Sequence, residues 1–181
     1  MVMADPSADD VRHFAVGVEG ELAPAMPVTA GPVALAPPSL ALTWTARRPW
    51  GLQLLAGAGY ASVTTDTPLA STVRQVGVST SLRALWWPLR WDRARVGVLA
   101  QAGYRGRFGG EDAEFETSSF RAHGFAVGAG VRPEWFVAPR LSLHTQLGVA
   151  FTFDDDNTTQ TQQQLLLAGN VLGQAGASIW F

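Results

Sequence analysis

The stretch LLLAGNVLGQAGASIWF, residues 165–181, places Leu167, Val171, Gly173, Ala175, Ala177 and Ile179 on one parity. The other parity holds Ala168, Asn170, Gln174, Gly176, Ser178 and Trp180, mostly small or polar, and the chain ends on the aromatic Phe181. Period two is the repeat of a β-strand, because successive side chains leave opposite sides of the pleat. A helix would need its apolar positions spaced three and four apart. The segment therefore predicts a strand with one apolar face and one face of small or polar groups.

The same alternation recurs upstream, near 11–22, 39–47, 50–63, 75–87, 95–106, 121–132 and 141–153, giving eight predicted strands. In the third, Trp50, Leu52, Leu54, Ala56, Ala58 and Tyr60 share a face against Gly51, Gln53, Gly57, Gly59 and Ala61. The fifth sets Val96, Val98, Ala100, Ala102 and Tyr104 against Gly97, Gln101, Gly103 and Arg105. LLAGAGY (54–60) and VLAQAGY (98–104) thus form a weak hairpin repeat. Connections alternate between short (48–49, 88–94, 133–140) and long (23–38, 64–74, 107–120, 154–164), as in transmembrane barrels with tight periplasmic turns and longer external loops. An even strand number then leaves both termini in the periplasm.

Composition narrows the function classes. With no cysteine, the chain has no disulfide, no thiolate zinc site and no thiol nucleophile. A net charge of -2 gives no support to nucleic-acid binding, which needs a basic face. The uncharged run 22–46 is long enough for a membrane helix, but Pro24, Pro27, Pro32, Pro37 and Pro38 exclude one, since each removes a backbone donor that lipid cannot replace. Residues 1–10 are acidic, lack the apolar core of an export signal, and read as a tail ahead of a barrel domain at 11–181.

Alternation alone also fits a soluble barrel with its apolar face inward. Eight strands enclose a lumen only wide enough for side chains or one small ligand. Gly, Ala, Ser and Gln suit that interior; the many Leu, Val, Phe and Trp do not, so the apolar face is expected to meet lipid. Trp44, Trp50, Trp86, Trp91 and Trp135 cluster toward the short turns and Tyr60 and Tyr104 toward the long loops, the two levels of interfacial aromatic girdles. Trp87 and Trp180 share the short-turn level. Arginines crowd the short turns, whereas Asp66, Glu111, Asp112, Glu114, Glu116, Asp154, Asp155 and Asp156 crowd the long loops.

Together the strand and turn layout and the terminal SIWF (178–181) resemble the OmpA/OmpX-type eight-stranded outer-membrane barrels. The resemblance covers nearly the whole chain after Asp10. It implies an all-β, antiparallel up-and-down barrel in a bacterial outer membrane, with lipopolysaccharide and other outer-membrane lipids as surroundings. Ile179 and Phe181 are similar to the family's assembly signal, which implies the barrel-assembly machinery as a partner. A monomer without a cofactor is expected. Members include structural proteins, adhesins, narrow channels and a few lipid-modifying enzymes, so the fold leaves function open.

Parity places Glu19, Glu21, Arg47, Arg83, Arg105, Arg132 and His144 on the inward face. Charges in so narrow a space must pair or reach water, so a plug of ion pairs, with Glu19 and Arg83 in one network, is expected in preference to an ion pathway. Ser142 and His144 superficially resemble a hydrolytic pair, but in the order Ser-x-His, in the lumen and at the wrong end for lipid A. Ser118, Ser119 and His123, with Glu116 nearby, sit closer to the external rim and form the better of two poor constellations. No enzyme activity is expected. His13, His123 and His144 occupy different strands, and Asp154, Asp155, Asp156 and Asn157 lack the spacing of an EF-hand, so no metal site is expected. The expected function is a structural or surface-interaction barrel, with a narrow channel as the alternative.

Overall fold

A computed structural model describes residues 13–21, 38–47, 49–65, 71–113, 117–157 and 164–181. Eight strands run in chain order: β1 (Phe14–Glu21), β2 (Ser39–Arg47), β3 (Trp50–Thr65), β4 (Ser71–Arg90), β5 (Ala94–Ala113), β6 (Thr117–Ala138), β7 (Leu141–Asn157) and β8 (Gln164–Trp180). Each pairs antiparallel with the next, and β1 pairs with β8 from Ala15↔Trp180 to Glu21↔Gln174 to close the barrel. Closure leaves no edge, so backbone donors and acceptors are consumed between strands. At the seam, Phe181 N–H donates to Phe14 O at 2.8 Å.

The two faces are inverted relative to a water-soluble protein. Leu40, Leu42, Leu52, Leu54, Leu82, Val98, Val127, Leu147, Val149 and Phe151 lie exposed on the outside. Glu19, Thr43, Gln53, Arg83, Arg132, Glu134, Ser142, His144, Gln146 and Ser178 are buried inside. An apolar belt of this extent is not left to water by a soluble monomer. The interior is not uniformly polar, however. Leu55, Leu85 and Leu99 point inward, and Leu85 and Leu99, directly paired across β4 and β5, pack with Trp87 near the short-turn end.

Strand ends depart from the sequence expectation at both rims. At the long-loop end, pairing continues to Thr65↔Ser71, Ser71↔Ala113 and Asp112↔Thr117, so much of the stretches expected as loops at 64–74 and 107–120 is strand. Alternation of hydropathy fades there because both faces turn polar, while backbone pairing, which ignores side-chain polarity, goes on. At the short-turn end, Pro88 lies within β4 and Pro133 within β6, positions expected as turns. Pro88 sits at a register shift between Trp86 and Leu89, where a missing N–H breaks no regular ladder bond. The hairpins β2–β3 and β6–β7 carry register irregularities beside their turns, at Trp44/Arg47 and Phe136/Ala138.

Candidate functional site

Two rows of ladder neighbours face each other across the lumen. Thr43, Gln53, Arg83 and Gln101 are successive cross-strand partners on β2 to β5. Glu19, Gly176, His144 and Glu134 follow one another on β1, β8, β7 and β6. Long side chains from one row therefore reach the other. Arg83 Nη1 donates to Glu19 Oε2 and, at 2.9 Å, to Gln53 Oε1. Its Nη2 donates to Gln174 Oε1, and its Nε to Gln101 Oε1 at 2.9 Å. Arg132 Nη1 donates to Gln53 Oε1 at 2.8 Å and to Glu19 Oε1 at 3.2 Å. Gln53 Nε2 closes the ring on Glu19 Oε1 and Thr43 Oγ1, both at 3.0 Å, and His144 Nε2 lies 3.0 Å from Glu19 Oε1. Gln146 Nε2 donates to Gln174 Oε1 at 2.9 Å. All eight strands contribute to this layer.

A second layer lies toward the short turns. Arg95 Nε donates to Glu134 Oε2 at 2.7 Å, while the other carboxylate oxygen accepts from Ser142 Oγ at 2.6 Å. Ser142 Oγ in turn accepts from Trp180 Nε1 at 2.9 Å. The Arg95 guanidinium carbon stands 4.1 Å from the Trp87 ring centre and 4.4 Å from that of Trp180, with Phe136 at 5.2 Å. A planar cation between aromatic faces is both stacked and charge-stabilised. Trp87 and Trp180 are each 1% exposed. Together the three side chains form a floor beneath the polar layer.

Of the residues assigned to the lumen from parity, Glu19, Arg83, Arg132 and His144 converge in one network. Arg105 occupies the inward register opposite Ser79 and Gly124 but is exposed, toward the long-loop end. The side chains of Glu21 and Arg47 lie outside the described ones. Arg95 and Glu134 are lumen residues absent from the set assigned there from the sequence. Arg95 opens the predicted strand 95–106 on the inward parity of Gly97 and Arg105 but counts there among the arginines near the short turns, whereas Glu134 lies in 133–140, expected as a turn, where continuing the alternation from Arg132 places it inside. Trp87 and Trp180 share the level of the other tryptophans but turn inward, again as parity dictates.

Trp44, Trp50, Trp86, Trp91 and Trp135 are exposed on the outer face, Trp50 and Trp86 stacking at 6.0 Å. Tyr60 is exposed near the other end of the barrel, whereas Tyr104 is half-buried in an outward cluster. Its hydroxyl lies 2.5 Å from His123 Nδ1, and Phe125 and Phe108 flank the pair. Ile179 and Phe181 are exposed on the last strand and at its end. Ser142 and His144 engage Glu134 and Glu19 respectively, not each other. Ser119 is exposed, and the side chains of Glu116 and Ser118 lie outside the described ones. Among the described residues, no three His, Asp or Glu side chains gather as a metal site.

A closed antiparallel barrel of eight strands, apolar outside and polar within, is the architecture of the OmpA/OmpX-type outer-membrane barrels. It is similar to a major outer membrane protein from Thermus thermophilus, with a TM-score of 0.59 and 16% identity over 93% of this chain and 98% of that one. The Escherichia coli outer membrane protein W gives 0.55 and 15% over 96% and 100%. Ail, the attachment invasion locus protein of Yersinia pestis, gives 0.54 and 12% over 93% and 97%. No family model and no curated protein matches the sequence. At such identities the likeness speaks for the fold, and the site must be read from this chain's own residues.

Proposed function

We propose that the protein is an integral outer-membrane barrel that does not conduct and acts through its surface, as a structural element or by binding a partner at its long-loop end. The observation that carries this reading is the filled lumen. Side chains from every strand meet at the Glu19–Arg83–Arg132 layer, and the stacked Trp87, Arg95 and Trp180 lie beneath it. Ions would have to displace buried, paired charges at the first layer and part aromatic rings at the second. In this reading the short turns and both termini face the periplasm, and the long hairpins face outward, where acidic residues meet lipopolysaccharide through divalent cations. The assembly machinery engages the exposed Ile179 and Phe181 of the last strand, and the barrel is a monomer in the lipid of that membrane.

Planar-bilayer recording of the refolded protein tests the proposal. Silence or rare brief openings are expected. A large, steady conductance would overturn the plug and favour a narrow channel.

A further inference from the structure

We infer that the short-turn rim is a docking surface for the headgroups of anionic phospholipids, held by exposed arginines at the depth of the tryptophan girdle. Charge is the first ground. By sequence, the side chains of the three short turns and of the strand ends beside them include Arg47, Arg48, Arg90, Arg93 and Arg140 against Asp92 alone. Arg95 and Glu134, at the same end, pair with each other inside the lumen and leave that balance unchanged. The stretches 64–74, 107–120 and 154–164 at the opposite end are acidic, with Arg74 and Arg107 as their basic residues. Positive charge is therefore gathered at the end where the exposed tryptophans cluster.

Depth is the second ground. Trp50 is the first residue of β3, Trp91 lies in the turn between β4 and β5, and Trp135 pairs with Ala94, the first residue of β5. All three are exposed, and amphipathic rings of this kind settle where hydrocarbon gives way to headgroups. Arg93 and Arg140 immediately precede β5 and β7 and are exposed as well. Among the described residues, no carboxylate pairs with either. Backbone hydrogen bonds hold the turns at this level. Phe136 N–H donates to Arg93 O and Trp180 N–H to Arg140 O, each at 2.8 Å, and Trp87 N–H donates to Pro49 O at 2.9 Å. Each short turn is thus tied sideways to the strand that follows its hairpin, which sets the depth of the arginines around the rim.

A lipid phosphate is the anion met at that depth, and a guanidinium offers it paired N–H donors in a planar fork. A zwitterionic headgroup brings its own cation beside the phosphate. An anionic headgroup does not, so a basic rim discriminates between the two by charge. An acidic protein would bind from the aqueous side, whereas turns of two or three residues keep these arginines against the girdle. The surface is separate from the role proposed for the long-loop end, and it serves whichever leaflet receives the short turns.

The test uses the full chain refolded into vesicles of phosphatidylcholine mixed with phosphatidylglycerol of the same acyl chains, one lipid or the other being brominated on its chains. Both leaflets then share one composition, so the readout does not depend on orientation. Bromine quenches the exposed tryptophans of the girdle, whereas Trp87 and Trp180, buried in the lumen, add a background common to both lipids. At equal mole fraction, brominated phosphatidylglycerol should quench more than brominated phosphatidylcholine, corresponding to a several-fold preference that fades in high salt. Arg93→Gln combined with Arg140→Gln should reduce that preference. Arg121→Gln, at an exposed position toward the long-loop end, should leave it unchanged. Only protein whose migration on SDS gels changes after boiling is scored, so a misfolded variant does not count. Equal quenching by the two lipids, a preference undiminished in the double variant, or a preference lost in Arg121→Gln would each overturn the assignment.

Discussion

Glu19 accepts from two arginines and a glutamine and adjoins a histidine, so it organises the lumen layer more than any other residue. Removing its charge strands Arg83 and Arg132 in a confined interior, and removing Arg83 strands Glu19. Breaking one partner of a buried pair typically costs about 3–5 kcal/mol. We therefore expect Glu19→Gln and Arg83→Met each to lower unfolding stability in detergent by about that amount, with partial recovery in the double variant. Arg132 remains to be paired in that double variant, so recovery should be incomplete. Strictly additive losses in the cycle, measured by urea unfolding, would show that the two residues do not interact. The convergence of Glu19, Arg83, Arg132 and His144 was legible in the sequence because parity alone sends a residue inward. Which acceptor each arginine chooses was not legible, since that depends on which rows face each other across the closed barrel. Gln174 and Gln53, uncharged and unremarkable in the chain, each accept from an arginine of the opposite wall, Arg83 and Arg132 respectively, for that reason.

At the scale of the strand, face and depth decide what a position tolerates. Leu82, 55% exposed on the outer face of β4, pairs with Leu54 and Ala102 in the middle of the apolar belt. Thr72 lies on the same face of β4, ten residues nearer the long-loop end, beyond the span that crosses a bilayer. Leu82→Arg should cost about 2–4 kcal/mol on refolding into lipid, and Thr72→Arg about 0–1 kcal/mol. Equal costs at the two sites would mean that the apolar belt does not mark the membrane. The eight strands were readable as period-two segments, since a half-lipid, half-lumen strand alternates strictly. Their ends were not, for two physical reasons: polar residues on both faces hide a continuing ladder at 107–113 and 117–120, and a bulge accommodates Pro88 where a regular ladder would not.

As a whole, the molecule presents hydrocarbon outward and hydrogen-bonding groups inward, an arrangement water would not stabilise. The chain should fold only with detergent or lipid, give a strand-dominated far-UV spectrum, and change its migration on SDS gels after boiling. A monodisperse, strand-rich protein in plain buffer would instead support a soluble barrel. The orientation proposed above, with short turns in the periplasm, rests on the asymmetry of the two rims. Three hairpins end in short turns beside bulges, with Trp44, Trp50, Trp86, Trp91 and Trp135 near that end, while β3 to β6 run to Thr65, Ser71, Ala113 and Thr117 at the other. An inserting barrel must carry its far connections across the membrane, whereas turns of two or three residues suit the side from which it enters. We expect an epitope inserted between Glu114 and Phe115, or between Thr158 and Thr159, to bind antibody on intact cells. The same epitope at Pro139 should bind only after the outer membrane is opened. Each insertion must still give the heat-dependent gel shift, so that a misfolded variant is not scored. The converse labelling in folded variants would mean that the long hairpins face the periplasm, and the surface role proposed for them would fall with it.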